Sequence, residues 1–404
     1  MTSRYRWTIL AAGTTAQASF SAAIIGLPAL APALRSHYDL TLGETGVVLG
    51  AMSFGLLPTL YAWGLLADRL GERAVIVLGL TTGGVALGLA GTTTSFGALV
   101  AMLALAGALG ASVNSASGRA VMGWFGEDER GLALGIRQAA VPIGGAIAAV
   151  TLPLLASAGG TTLAFAALGA GVVAGAAVAG VLLREPPHRP RAAPADAKST
   201  LRDGRLWLLA GGSSLYLTSQ IAIASFVVLF LHGHRGLSTH AAAAVLAAIN
   251  VLAIGARIAA GRWSDRTRAR VAPLRMVGIA LAGATVVAAT LVDAPLAVLI
   301  PALVVTGVLG FSWNGLSFTA AAERAGAARS GAALGFQQTT LAVVGAIVPP
   351  VFAALVAASS WRVAFAAAAV GPLVGVALLR KVPEASSRAA ARTPGMSAIP
   401  PAAR

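Results

Sequence analysis

The chain of 404 residues is 57% hydrophobic and only 11% charged, with a mean hydropathy of +0.81. Soluble proteins carry about a quarter charged residues, so a water-soluble globular fold is excluded. The net charge of +15 does not indicate nucleic acid, because the basic residues are distributed to another end, and the lack of cysteine removes disulfide and thiol chemistry.

Polar breaks divide the chain into apolar runs, each near the ~20 residues that cross a bilayer as a helix. They are continuous rather than alternating, unlike the short segments of a barrel. The predicted spans are residues 7–34, 42–66, 74–92, 96–124, 131–157 and 161–183, then 206–231, 239–262, 276–293, 296–322, 331–357 and 362–380. The first follows Arg4 and Arg6 but far exceeds the roughly 7–15 apolar residues of a signal peptide, so it reads as an uncleaved span. Residues 184–205, rich in Pro, Arg and Asp, form a linker expected to have little fixed structure. The expected organisation is an N-terminal six-helix bundle (1–183), this linker, a C-terminal six-helix bundle (206–380) and an Ala-, Pro- and Arg-rich tail (381–404) expected to be disordered.

The halves are related. Displacing the sequence by 200 places superimposes residues 103–147 on 303–347 with 17 of 45 identities, where composition alone would give roughly five. Matched residues include Gly107/Gly307, Ser112/Ser312, Asn114/Asn314, Ser117/Ser317, Gln138/Gln338 and Gly145/Gly345, and Trp7 and Trp207 each start a half. With both termini inside, cytoplasmic segments hold 23 of the 29 basic residues, against Arg35, Arg235 and Arg362 outside. That asymmetry satisfies the positive-inside rule and accounts for most of the basic balance.

Between spans two and three the chain reads Gly64-Leu-Leu-Ala-Asp68-Arg69-Leu-Gly71-Glu72-Arg73, and a degraded copy, Gly261-Arg-Trp-Ser-Asp265-Arg266-Thr-Arg268-Ala-Arg270, follows span eight. An aspartate beside arginines at a helix end can pair with them or accept from free helical amides, which suits a gate. Asp68, Arg69, Arg73, Asp265 and Arg266 are the gating candidates. This pattern resembles the loop signature of the major facilitator superfamily, and with two related six-span halves the resemblance covers essentially the whole chain. It implies an all-α membrane fold of twelve transmembrane helices in two pseudo-symmetric bundles, working by alternating access. The arginine that drug-proton antiporters of the superfamily carry early in span four is missing near Leu103. Their span-five Gly-Pro-x-x-Gly-Gly is one residue short, as Val141-Pro142-Ile143-Gly144-Gly145. Ala256-Arg257-Ile-Ala-Ala-Gly261 is instead similar to the Ala-Arg-x-x-x-Gly of monocarboxylate, oxalate and nitrate carriers, where the resemblance implies that the arginine meets the anion.

All 14 Asp and Glu residues fall in loops, tails or helix ends, so a proton relay through a mid-span carboxylate has no candidate. Three arginines lie inside spans. Arg119, five residues before Trp124, is placed to snorkel. Arg137 lies about 9 Å and Arg257 about 12 Å along their helices from the cytoplasmic boundary, and such cations without acids favour an anionic solute. Asn114 and Asn314 stand on the fourth helix of each half, which in the superfamily lines the cavity together with the first, seventh and tenth; interhelical hydrogen bonding is their alternative role. Gln138 and Gln338 read as gating or binding amides, and Tyr216, Gln220 and Gln17 as further lining residues. No cofactor or metal site is read, and His232, His234 and His240 lack the acids or cysteines that would complete one. The function expected is transport of a small organic anion, monocarboxylate-like, with a proton as candidate co-transported ion, by a monomer embedded in the cell membrane, without nucleic acid or enzymatic chemistry. An exporter of drugs or hydrophobic metabolites is the alternative, and a non-transporting membrane sensor a third reading.

Overall fold

The computed structural model describes residues 2–125, 129–185, 202–326 and 330–384, and every regular element among them is helical. The first half opens with α1 (Thr2–His37), α2 (Leu42–Leu70), α3 (Glu72–Ala90) and α4 (Phe96–Met122). The next helical stretch, Arg130–Leu182, breaks at Gly159 and Gly160, separating α5 (130–158) from α6 (161–182). Gly160 has φ 69° and ψ −172°, a combination that glycine reaches because it has no Cβ. The second half comprises α7 (Gly204–His234), α8 (Thr239–Thr267), α9 (Val271–Thr290), α10 (Leu296–Ala325), α11 (Ser330–Ala358) and α12 (Trp361–Leu379). Eleven stretches are long and apolar enough to cross a membrane, one of them the 48-residue Gly135–Leu182. Dividing that one at its glycine break gives twelve spans among the described residues. Residues 186–201 of the expected linker and 385–404 of the expected tail lie outside them.

Caps, rather than hydropathy, set the helix ends. Thr41 accepts from the Glu44 N–H while the Glu44 carboxylate accepts from the Thr41 N–H, a reciprocal box that starts α2. Asp203 caps α7 and Ser238 caps α8. The motif glycine Gly71 is the single residue joining α2 to α3; its φ of 87° makes the reversal, which explains glycine there. Both α2 and α8 run several residues past their apolar segments, because charged residues at a bilayer edge are no obstacle to a helix. Two helices of the second half are interrupted: α7 turns at Leu215–Tyr216 and ends in a π-helical turn, Phe230–His234, and α10 bends at Trp313.

Small residues set the packing, as expected where lipid leaves no hydrophobic drive between helices. Gly144 of α5 lies against the Ala18 carbonyl of α1, and Gly55 of α2 against that of Ala104 of α4. Across the halves α2 packs on α11, α5 on α8 and α1 on α7. A Cβ at Gly46 would lie 2.6 Å from Ala353 Cβ and 2.7 Å from the Pro349 carbonyl, whereas one at Gly135 or Gly335 meets open space. At Gly46, toward the end remote from the chain termini, α2 thus lies directly against the α11 backbone.

Candidate functional site

Close approach of α1, α4 and α5 brings six polar side chains of the first half together at depth. Gln17 of α1 donates through Nε2 to Asn114 Oδ1 of α4 at 3.0 Å and to Ser21 Oγ at 3.3 Å. Its Oε1 accepts from Arg137 Nη2 of α5 at 2.9 Å. Arg137 also donates from Nε to Ser117 Oγ at 2.8 Å and from Nη1 to Gln138 Oε1 at 3.3 Å. Arg137 is only 8% exposed, and all three of its nitrogens are bonded to neutral oxygens. Three of its five N–H groups are thus bonded, and none of its partners among the described residues is an acid.

Arg257 of α8 reaches the same place from the other half. Its Nε donates to the Phe311 carbonyl at 2.8 Å, its Nη1 to the Gln138 carbonyl at 2.7 Å, and its guanidinium carbon lies 5.9 Å from the centre of the Phe311 ring. Both carbonyls are acceptors that helix geometry releases. Phe311 stands in the last turn before the Trp313 bend, where helical carbonyls lack intrahelical donors. Gln138 lies four residues before Pro142, which has no N–H to offer and whose ring crowds that carbonyl. A proline in one half and a helix break in the other therefore create the seat of Arg257. Nη2 of Arg257 makes no hydrogen bond to the described residues, and the residue is partly exposed. Arg137 and Arg257 thus converge on Gln138, one on its amide and one on its carbonyl, each brought by a different half.

The second half repeats this pattern without the charge. Asn314 donates to Gln220 Oε1 of α7 at 3.4 Å, the counterpart of the Asn114–Gln17 pair shifted by one turn of the partner helix. Ser317 Oγ and Gln337 Nε2 both lie on Ser213 Oγ, at 2.7 and 3.0 Å. Gln337, the repeat counterpart of Arg137, is fully buried, while its neighbour Gln338 is partly exposed and makes no side-chain hydrogen bond to the described residues. Tyr216 stands apart from the polar cluster: it is fully buried, donates its hydroxyl to the Leu274 carbonyl of α9 and sets its ring edge-on against Trp313. The side chain of Arg119 lies outside the described residues. Ser117, Ser213 and Ser317 complete the cluster; the repeat identity of Ser117 and Ser317 was the available sequence signal, while Ser213 has none.

At the end bearing the termini, Asp68, Arg69 and Arg73 are exposed around the α2–α3 turn. In the second half Asp265 pairs with Arg270 at 2.6 Å, and Arg270 with Glu323 of α10 at 2.8 Å, whereas Arg266 points outward. Burial alone would lower the Arg270 pKa, but bonds to Glu323 and Asp265 hold it above the ordinary arginine value. Glu384, beyond α12, accepts from the backbone N–H groups of Arg270, Val271 and Ala272 at the start of α9. Partial burial raises its pKa, and these three amides outweigh that and hold it below the usual 4.5.

Twelve apolar helices in two repeated halves, with polar side chains of both converging at depth, have the build of a secondary transporter. The chain belongs to the major facilitator superfamily, whose family model matches residues 11–349. It is a multi-pass membrane protein. An uncharacterized MFS-type transporter of Mycobacterium tuberculosis is 33% identical over 378 residues, 93% of this chain and 84% of that protein. A probable sulfoacetate transporter of Cupriavidus necator is 29% identical over 146 residues, 36% of this chain and 34% of that one. The crystal structure of a bacterial homolog of the human lysosomal transporter Spinster, inward-facing and occupied, matches with a TM-score of 0.74 at 16% identity, covering 94% of this chain and 97% of that one. The specific likeness to monocarboxylate, oxalate and nitrate carriers has only the Arg257 motif behind it.

Proposed function

We propose that the protein carries a small organic anion, monocarboxylate-like, across the cell membrane by alternating access. Both termini and the linker lie on the cytoplasmic side in this reading, which rests on the basic asymmetry. The observation that carries it is the pair of guanidinium groups converging on Gln138 with no carboxylate in the middle of any span. An ionised group at such depth is expensive unless paired, and a bound anion supplies the pair. A probable sulfoacetate transporter is among the partial relatives, and sulfoacetate is a small organic anion, which supports this substrate class.

Arg257 takes the leading role because Nη2 makes no hydrogen bond to the described residues and Nη1 holds only a main-chain carbonyl. A carboxylate arriving between the halves would take both nitrogens in a fork, releasing the Gln138 carbonyl and with it one tie between α5 and α8. Arg137, held by Gln17 and Ser117, adds positive potential and keeps Gln138 in position. The charges around Asp68, together with the Asp265–Arg270 pair, form the gate at the terminal end. If a proton accompanies the anion, the substrate's own acid group is its carrier in this reading.

The test is uptake of labelled anions and cationic dyes into proteoliposomes, with and without a pH gradient. Arg257→Ala is expected to abolish anion uptake. Arg257→Lys keeps charge without the fork and should weaken affinity by roughly 1–3 kcal/mol. Normal anion transport by folded Arg257→Ala overturns the assignment, and dye transport that ignores the substitution moves it to an exporter.

A further inference from the structure

A second basic feature lies on the outside of the bundle. While α8 turns Asn250 and Arg257 toward α5, its opposite face carries a groove of about 390 Å3 lined by Gly255, Ile258, Ala259, Arg262, Trp263 and Arg266. These positions recur at three- and four-residue intervals and so share one face. The groove is apolar at one end, where Gly255 and Ala259 leave room beside the 46% exposed Ile258. At the other end, toward Thr267, Arg262 and Arg266 stand one turn apart, exposed, with Trp263 beside them. Neither arginine makes an ion pair or side-chain hydrogen bond to the described residues, since Asp265, which lies between them in sequence, is taken by Arg270 at 2.6 Å.

We propose that this groove is a binding site for an anionic phospholipid. The charged end sits where α8 leaves the apolar layer, the depth at which headgroup phosphates and interfacial tryptophans lie. Two guanidinium forks one turn apart match phosphate oxygens, and their lack of partners among the described residues leaves that complement to the lipid. The bare strip over Gly255 and Ala259 then receives an acyl chain. Free phosphate would use the arginines and leave the apolar end unexplained; a zwitterionic lipid would supply the chain without net charge. The site is independent of the transported solute, and it gives Arg266 a role separate from the gate.

Native mass spectrometry of the full chain, with phosphatidylglycerol and phosphatidylcholine of identical acyl chains, tests it. One phosphatidylglycerol should be retained in preference to phosphatidylcholine. Arg262→Gln/Arg266→Gln should weaken retention about thirtyfold, each arginine near the surface contributing a factor of about five. Gly255→Leu, placed where an added Cβ meets open space, leaves both charges intact and should also weaken retention by blocking the chain. Thermal unfolding in phosphatidylcholine confirms that the variants are folded. Equal retention of the two lipids, undiminished phosphatidylglycerol binding by either variant, or equal competition by inorganic phosphate overturns the proposal.

Discussion

Replacing Pro142 by alanine restores an N–H that α5 lacks, and that N–H faces the carbonyl of Gln138. In the structure this carbonyl accepts from Arg257 Nη1 at 2.7 Å, across the boundary between the halves. The alanine variant therefore separates two effects. The helix itself gains about 3 kcal/mol, the usual difference between proline and alanine in a helix interior, and gains it in every arrangement of the halves. The bond between halves weakens because its acceptor becomes shared. Interhelical hydrogen bonds in membranes are worth about 0.6–1.7 kcal/mol, which is a factor of about three to eighteen in the population of the arrangement seen here. Thermal stability should thus rise while the tie between α5 and α8 loosens. The cysteine-free chain allows spin labels at Ala74→Cys and Thr267→Cys, exposed residues at the terminal ends of the two halves. Their distance distribution should shift in the same direction for Pro142→Ala as for Arg257→Ala. An unchanged distribution for Pro142→Ala beside a shifted one for Arg257→Ala would refute the link from proline to arginine.

Two further outcomes follow from the packing and the caps. Gly46→Val places atoms within 2.6–2.9 Å of Ala353, Pro349 and Pro350, so it should disfavour closure of α2 on α11 by about 1–3 kcal/mol, read as a shift of the same label pair toward a more closed terminal end. Glu384→Gln removes the charged acceptor of three amides and should cost about 1 kcal/mol of second-half stability. Because the folded pKa of Glu384 is depressed, its contribution is fully present above the usual 4.5 and is lost as pH falls through the lowered value; thermal melts of wild type and variant should converge there.

Hydropathy and repetition determined the architecture, because crossing a bilayer leaves the backbone few options and helix length is fixed by membrane thickness. The expected spans correspond in order to the observed helices, including the pair separated at Gly159–Gly160, and the repeated Asn114 and Asn314 each bond a glutamine of the first helix in their half. What the sequence left undetermined is which polar group meets which. The repeat equates Gln138 with Gln338, yet Gln138 takes bonds from both arginines while Gln338 makes no side-chain hydrogen bond to the described residues, since the residue before each is an arginine in one half and a glutamine in the other. Asp265 pairs with Arg270 rather than the adjacent Arg266, because the helix ends at Thr267 and the chain then folds back. The bond between Arg257 and the carbonyl released by Pro142 spans 119 residues of sequence. Local pattern could place a cation and a proline each at depth; only the packing of α5 against α8 made them partners.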